Sequence, residues 1–159
     1  TRRSALFQPP HMQALCAMKI RAATRNDLSS IYGMHHIACS NAERKDLISN
    51  AVDNQCAWLV ESDDGHAVGY GNLSHEFFGR SFIELVYIDE RHRSQGYGPA
   101  LIGYLEQKSR SGDLFTSTNE SNVHMQHVLT NLGYERSGTI FNLDPGDPEL
   151  VYVKRLVRT

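Results

Sequence analysis

The segment Val86-Tyr87-Ile88-Asp89-Glu90-Arg91-His92-Arg93-Ser94-Gln95-Gly96-Tyr97-Gly98-Pro99-Ala100 changes character twice. An apolar run ends at Ile88, a basic loop bearing Gly96 and Gly98 follows, and a helical pattern then begins. A strand–loop–helix turn of this kind aims unpaired backbone N–H groups at one point and sets the positive end of the helix dipole there. Glycines let the backbone come close to a ligand with no Cβ in the way. Arg91 and Arg93 bring cations suited to oxygen anions. The physical reading is a phosphate or pyrophosphate cradle spanning Arg93, Ser94, Gln95, Gly96, Tyr97, Gly98 and Pro99. It is not a nucleotide P-loop, because no Lys-Ser/Thr follows the second glycine. Nor is it the dinucleotide fingerprint, which needs a third glycine and an acidic residue ~20 positions on.

Working outward, residues 81–88 are rich in β-formers and read as the strand that feeds the loop. Residues 98–110 follow with a helical period, Leu101, Ile102 and Leu105 on one side and Pro99 tolerated in the first turn. Upstream, residues 19–23 form a short strand, and Thr24-x-x-Asp27 is a capping box that opens a helix over 25–39. Ser40-x-x-Glu43 repeats that signal and predicts a second helix through residue 52. Residues 56–61 and 67–74 flank Asp63-Asp64-Gly65 and read as a hairpin. Downstream come a strand at 114–118, a helix over 121–132 closed by Gly133, and strands at 134–143 and 149–156. The order β-α-α-β-β-β-α-β-α-β-β predicts a mixed α/β sheet covered by helices.

The chain has 159 residues, 40% hydrophobic and 21% charged, the length and composition of one globular domain. Its 16 Lys+Arg against 18 Asp+Glu leave a net charge of −2. That removes the electrostatic argument for a nucleic-acid partner. No apolar run approaches the ~20 residues of a membrane span, so no membrane partner is expected. Cys16, Cys39 and Cys56 lack C-x-x-C spacing and fit unpaired thiols in a reducing compartment, which makes a cytoplasmic location the expectation. Residues 1–17 carry Arg2, Arg3 and Pro9-Pro10 without an apolar period, and read as a flexible arm before a single domain over 18–159. His124 and His127 are spaced to share a helix face, but no third ligand accompanies them, so no metal is expected.

The loop Arg93-x-x-Gly96-x-Gly98 resembles the R/Q-x-x-G-x-G/A loop of the GNAT superfamily of acyl-CoA-dependent N-acetyltransferases. Ile83-Glu84-Leu85-Val86-Tyr87-Ile88 resembles that family's fourth strand, and Asn122-x10-Gly133-Tyr134 resembles its Asn…Gly-Phe/Tyr segment. The order of elements over 18–156 is similar too. The resemblance implies a GNAT-like fold: a mixed, mostly antiparallel central sheet with helices on both faces and splayed middle strands. It implies that the arm of acetyl-CoA enters between the fourth and fifth strands and pairs with the backbone of Val86, Tyr87 and Ile88. Those groups would otherwise be unpaired at a cost. An N–H near Ile88 would then face the thioester carbonyl and stabilise its oxyanion. The cradle amides would hold the pyrophosphate, and Asn122 matches the family's Asn that contacts the cofactor arm. Asn119 is a second candidate from its position alone.

The implied reaction is transfer of an acetyl group to a primary amine by direct attack in a ternary complex, since no cysteine lies in the cofactor motif. An alkylammonium with a pKa of ~10 is mostly protonated near neutrality, so a base is required. Glu84, on the strand that forms the cleft, is the expected catalytic base, with Glu76 the second choice. Many family members place a tyrosine, as general acid, where this chain has Leu129. Ser121, Tyr87 and Tyr97 are the remaining candidate donors. Phe77-Phe78-Gly79-Arg80 joins two strands where the family often lines its acceptor cleft. Asp147 and Glu149, near the C-terminal hairpin, read as a solvated turn, with a place at the acceptor site as the alternative. The alternative reading is a non-catalytic acyl-CoA-binding sensor, which Leu129 favours and Glu84 opposes. The expected partners are acetyl-CoA and an amine acceptor, and a homodimer is compatible with the sequence.

Overall fold

The computed structural model describes residues 18–35, 37 and 40–157. The N-terminal arm, Cys16 and Cys39 lie outside the described residues. In chain order the elements are β1 (Lys19–Ala22), α1 (Leu28–Met34), α2 (Ala42–Asp53), β2 (Ala57–Glu61), β3 (Ala67–Phe77) and β4 (Arg80–Ile88). There follow α3 (Tyr97–Lys108), β5 (Asp113–Asn119), α4 (Val123–Asn131), β6 (Glu135–Ile140) and β7 (Glu149–Arg155). Single 3-10 turns at Arg25–Asp27 and Glu90–His92 lead towards α1 and α3.

Local chemistry sets the helix ends. The Asp27 carboxylate accepts from the Thr24 N–H at 2.7 Å and its hydroxyl at 3.1 Å, and takes two further bonds from Arg21. The Arg21 guanidinium is the main reason the Asp27 carboxyl is held down to about 2. Helix α1 stops at Met34, short of the expected 39. His35 leaves the helix with φ −114° and ψ 82° and is buried, its Nδ1 2.6 Å from the Tyr70 hydroxyl. Helix α2 is capped by Asn41, whose side chain accepts the Arg44 N–H at 3.0 Å. Ser40, the expected cap, instead donates to the Ile37 carbonyl.

The seven strands form one sheet in the order β1-β2-β3-β4-β5-β7-β6. Neighbours run antiparallel except β4 and β5, which are parallel. Two features of β4 shape the molecule. First, it pairs with β5 only at Ser81↔Leu114, Phe82↔Phe115 and Ile83↔Thr116. Beyond that point β4 continues to Ile88 and β5 to Asn119 without pairing, so the two strands part in a V. Second, Asn72 pairs with Leu85 while the next residue, Leu73, pairs with Ile83, which leaves Glu84 as an extra residue in β4. Such a bulge bends its strand and re-aims a side chain.

Helices cover both faces. On one, α3 and α4 supply Leu101, Ile102, Leu105 and Leu129 to a core with Leu73, Ile83 and Leu150. On the other, α1 and α2 supply Ile31, Ile48 and Val52 to a core with Leu59 and Tyr70. Each such aliphatic side chain contributes about 1.5–3 kcal/mol when fully buried. Close approach of α3 depends on Gly71, where a Cβ would lie 3.1 Å from both Leu101 and the Leu85 carbonyl oxygen. No helix among the described residues is long and apolar enough to cross a membrane.

Candidate active site

Three cavities adjoin the bulged half of β4, which is paired with β3 but not with β5. The first is a cleft of about 720 Å³ beside the start of α3. The loop closes it with backbone: Ser94 adopts φ +61° and Gly96, the residue before α3, φ +89°. Left-handed residues alternating with ordinary ones make a concave run of N–H groups that suits an anion. The N–H groups of residues 94–98 donate to no backbone acceptor among the described residues. A Cβ built on Gly96 would meet nothing within 4 Å, so it would project into open space.

Of the residues expected to bind the cofactor, Val86, Tyr87, Ile88, Arg93, Ser94, Gly96, Tyr97, Gly98, Pro99 and Asn122 all line this cleft. Gln95 is exposed on the loop and does not. Asn119 lies in the neighbouring gap instead, where its amide donates to Asp144 at 2.9 Å. The arginines divide. Arg91 is taken up by Asp89, whose carboxyl it holds down to about 2. Arg93 donates to the Ile88 carbonyl at 3.1 Å and lies over the Tyr87 ring, strapping the loop to the strand. The cleft also uses His92, Ile102, His124, Met125 and Val128, which the sequence reading did not assign to it. Their signal was the helical spacing of Asn122, Met125 and Val128 along α4.

The second cavity, about 260 Å³, fills the V between β4 and β5 and shares Val86, Ile102, Asn122 and Met125 with the cleft. Leu129 closes it, 2% exposed and packed into the core. No tyrosine hydroxyl stands there. Among the other proposed donors, Tyr87 gives its proton to the Met34 carbonyl and Ser121 gives its proton to Asp147 at 2.6 Å. Tyr97 lines the cleft.

The third cavity, about 740 Å³, opens on the far side of Glu84, which lines both it and the V. Its wall carries the carboxylates of Glu43, Asp46, Glu76 and Glu84 against the single guanidinium of Arg110. Glu84 reaches this position because the bulge turns it to the α2 side, where it bonds Ser74. Burial of its surroundings raises its carboxyl above the usual range, Glu76 adds to the rise, and the Ser74 bond opposes it. Burial, and then the nearby Arg110, push the His75 imidazole below its usual range. Its Nδ1 lies 2.9 Å from the Ser81 hydroxyl, which already accepts the Arg110 N–H. Cys56 also lines the pocket, but burial pushes its thiol up and away from thiolate. Phe77, Phe78, Phe82 and Phe115 form an aromatic cluster that lines none of the three cavities.

The three adjoining cavities thus put N–H groups suited to an anion at one end and carboxylates suited to a cation at the other, with Glu84, whose carboxyl is raised, between them. Among the described residues no group of three metal-ligating side chains gathers. Comparison with known proteins agrees. The model of the Acetyltransferase (GNAT) family matches residues 21–134. A GNAT-family acetyltransferase structure from Bacillus cereus shares 31% identity and a TM-score of 0.81, covering 89% of this chain and 99% of that one. Two more distant structures share the fold. Ard1 from Thermoplasma volcanium has 17% identity and a TM-score of 0.77, with coverage of 89% and 99%. The yncA protein of Salmonella typhimurium, solved with its cofactor acetyl-CoA, has 17% identity and a TM-score of 0.72, with coverage of 90% and 96%. A search of curated proteins gives no significant match.

Proposed function

The chain belongs to the GNAT acetyltransferase family, whose acyl donor is acetyl-CoA, and on that premise we propose that it acetylates a primary amine carrying positive charge by direct attack in a ternary complex. The observation that carries the reading is the position of Glu84, at the one wall shared by the V and the acidic pocket. Acetyl-CoA brings an activated thioester; the rest is what this chain's residues do. The amides of 94–98 and the N-terminus of α3 face the phosphate end, which they suit through fixed dipoles and not through a bound cation. The edge of β4 that faces the V, left without a β5 partner beyond Ile83, offers hydrogen bonds to an extended arm. The acidic pocket raises the local concentration of an ammonium group, since four carboxylates face one guanidinium there. Glu84 then takes the proton that the attacking nitrogen must lose. Its raised pKa brings it closer to the working pH of a base.

Direct attack is supported by the chemistry of Cys56, the cysteine that lines the pocket. As a thiol it is a poor nucleophile and gives no route to a covalent acyl relay. The burial of Leu129 removes the hydroxyl acid of many relatives, so the thiolate leaves unaided or through water. A CoA thiol is a good enough leaving group for that. The test is release of free thiol from acetyl-CoA across a panel of amines, from monoamines to diamines and lysine peptides. Amine-dependent release, fastest with acceptors bearing a second positive charge, is the expected result. Binding of acetyl-CoA with no release for any amine would point to the sensor reading instead.

A further inference from the structure

We propose that Arg44, in the first turn of α2, binds a carboxylate of the acceptor, and that the acceptor is a free amino acid with a cationic side chain; the proposal rests on the reading of the chain as an amine acetyltransferase with Glu84 as base. Arg44 lines the V together with Glu84, Asp144 and Glu149. It is half-buried, yet its guanidinium makes no hydrogen bond or ion pair among the described residues. Every Asp and Glu of the chain lies among those residues, so no side-chain carboxylate pairs with it.

The helix does not account for this charge. Asn41 caps α2, which sets Arg44 in the first turn, where the helix dipole disfavours a cation. The residues three and four positions away are Ser40, Asn41, Leu47 and Ile48, so no acid stands at ion-pairing spacing. An anion seated at Arg44 would satisfy the guanidinium and the dipole together.

Two observations put the guanidinium on the sheet face beneath α1 and α2. Leu85, which lines the V with it, packs on that core. Burial raises the pKa of Tyr70, a member of the same core, and Arg44 is the charge that opposes the rise. Glu149 lies on this face too. Its neighbour Leu150 belongs to the core under α3 and α4, and successive strand residues point to opposite faces. The Glu149 carboxylate is half-buried and has no partner among the described residues, whereas Asp144 is taken by Asn119. An unpaired cation and an unpaired anion thus line one cavity of about 260 Å³ and stay more than 4.0 Å apart. That arrangement is the complement of a zwitterion.

The α-carboxylate of the acceptor takes Arg44, and its α-ammonium lies between Glu149 and Glu84. The side-chain cation extends past Glu84 into the acidic pocket, whose wall Glu84 shares. One proton of the α-ammonium passes to Glu84, and the nitrogen attacks the thioester carbon. The C–N bond forms, the C–S bond breaks, and a second proton from the nitrogen reaches the departing sulfur through water. Arg44 and Glu149 gain and lose none.

The experiment compares L-lysine, L-lysinamide and cadaverine (the same chain with no carboxyl group) as acceptors for the parent and for Arg44→Gln. Thiol release gives the rates, and fragment masses locate the acetyl group. In the parent, kcat/KM for lysine should exceed that for either other amine by about 10–100-fold, the worth of one charge-assisted pair. The acetyl group should sit on the α-nitrogen. In Arg44→Gln the preference should collapse to within about threefold, while acetyl-CoA affinity and melting temperature stay parental and show an intact fold. A parent that uses lysinamide or cadaverine as well as lysine would overturn the proposal. So would an Arg44→Gln variant that keeps the preference, or lysine acetylated on its side chain. Amine-dependent release persists in each of those outcomes, so the reading of Glu84 would stand. No release by the parent with any of the three amines would remove that reading, and this proposal with it.

Discussion

The cleft beside α3 and the acidic pocket beside α2 have nearly the same volume, about 720 and 740 Å³, yet they are made in opposite ways. The cleft is made chiefly of backbone drawn from one continuous run, residues 86–99, with one face of α4 added. Its selectivity comes from N–H groups and dipoles that any residue carries, and side-chain identity matters mainly where glycine permits an approach. The pocket is made of side chains gathered from α2, β3, β4 and the end of α3. Its character is the charge of Glu43, Asp46, Glu76 and Glu84, and each of these can be exchanged without altering the sheet.

The contrast can be broken most sharply at Glu84, where the two halves meet. Glu84→Gln should lower kcat by about 10²–10³-fold while acetyl-CoA affinity by calorimetry stays within about twofold of the parent. In the parent, the acid limb of the kcat profile should lie at higher pH than an unperturbed glutamate would set. A carboxylate base would act only when ionised, and partial desolvation raises the Glu84 pKa. The limb should be missing in Glu84→Gln. At Gly96, which lines the cleft, a valine must adopt a strained φ of +89°. Acetyl-CoA binding should weaken by about 10–100-fold, while the amine KM, measured at saturating acetyl-CoA, should not move. The smallest effect belongs to the rim. The double variant Glu43→Gln, Asp46→Asn should lower kcat/KM for a diamine by about 3–10-fold and flatten its dependence on salt. Acetyl-CoA binding should be unaffected. If that variant instead lost acetyl-CoA binding, the two cavities would not be separable as described.

The same division governs what could be read from the chain alone. The loop, the strand before it and the helix after it were legible because glycine placement and a change of hydrophobic period are local signals. Ten of the twelve expected cofactor residues line the cleft for that reason. Asn119 went to the gap because Asp144, distant in sequence, claims its amide. The end of α1 was misread for a similar reason. Nothing near Met34 in sequence announces that His35 will leave the helix to meet Tyr70. The bulge at Glu84 was not visible, because register is a property of two strands and not of one. The acidic pocket was partly legible, in that Glu43, Asp46 and Asn50 fall on one helical stripe, but nothing local said that this stripe faces β4.

The sparse pairing of β4 with β5 has a mechanical consequence. Among the described residues, strand pairing joins the half-sheet β1–β4 to the half-sheet β5–β7 at three residue pairs. An extended ligand laid into the V would act as additional stitching along a seam, so that occupancy of one small cleft would be felt as rigidity across both halves. Amide hydrogen exchange at residues 84–88 and 117–119 would then slow together on loading, although these stretches of β4 and β5 lie beyond the three pairs that join the strands.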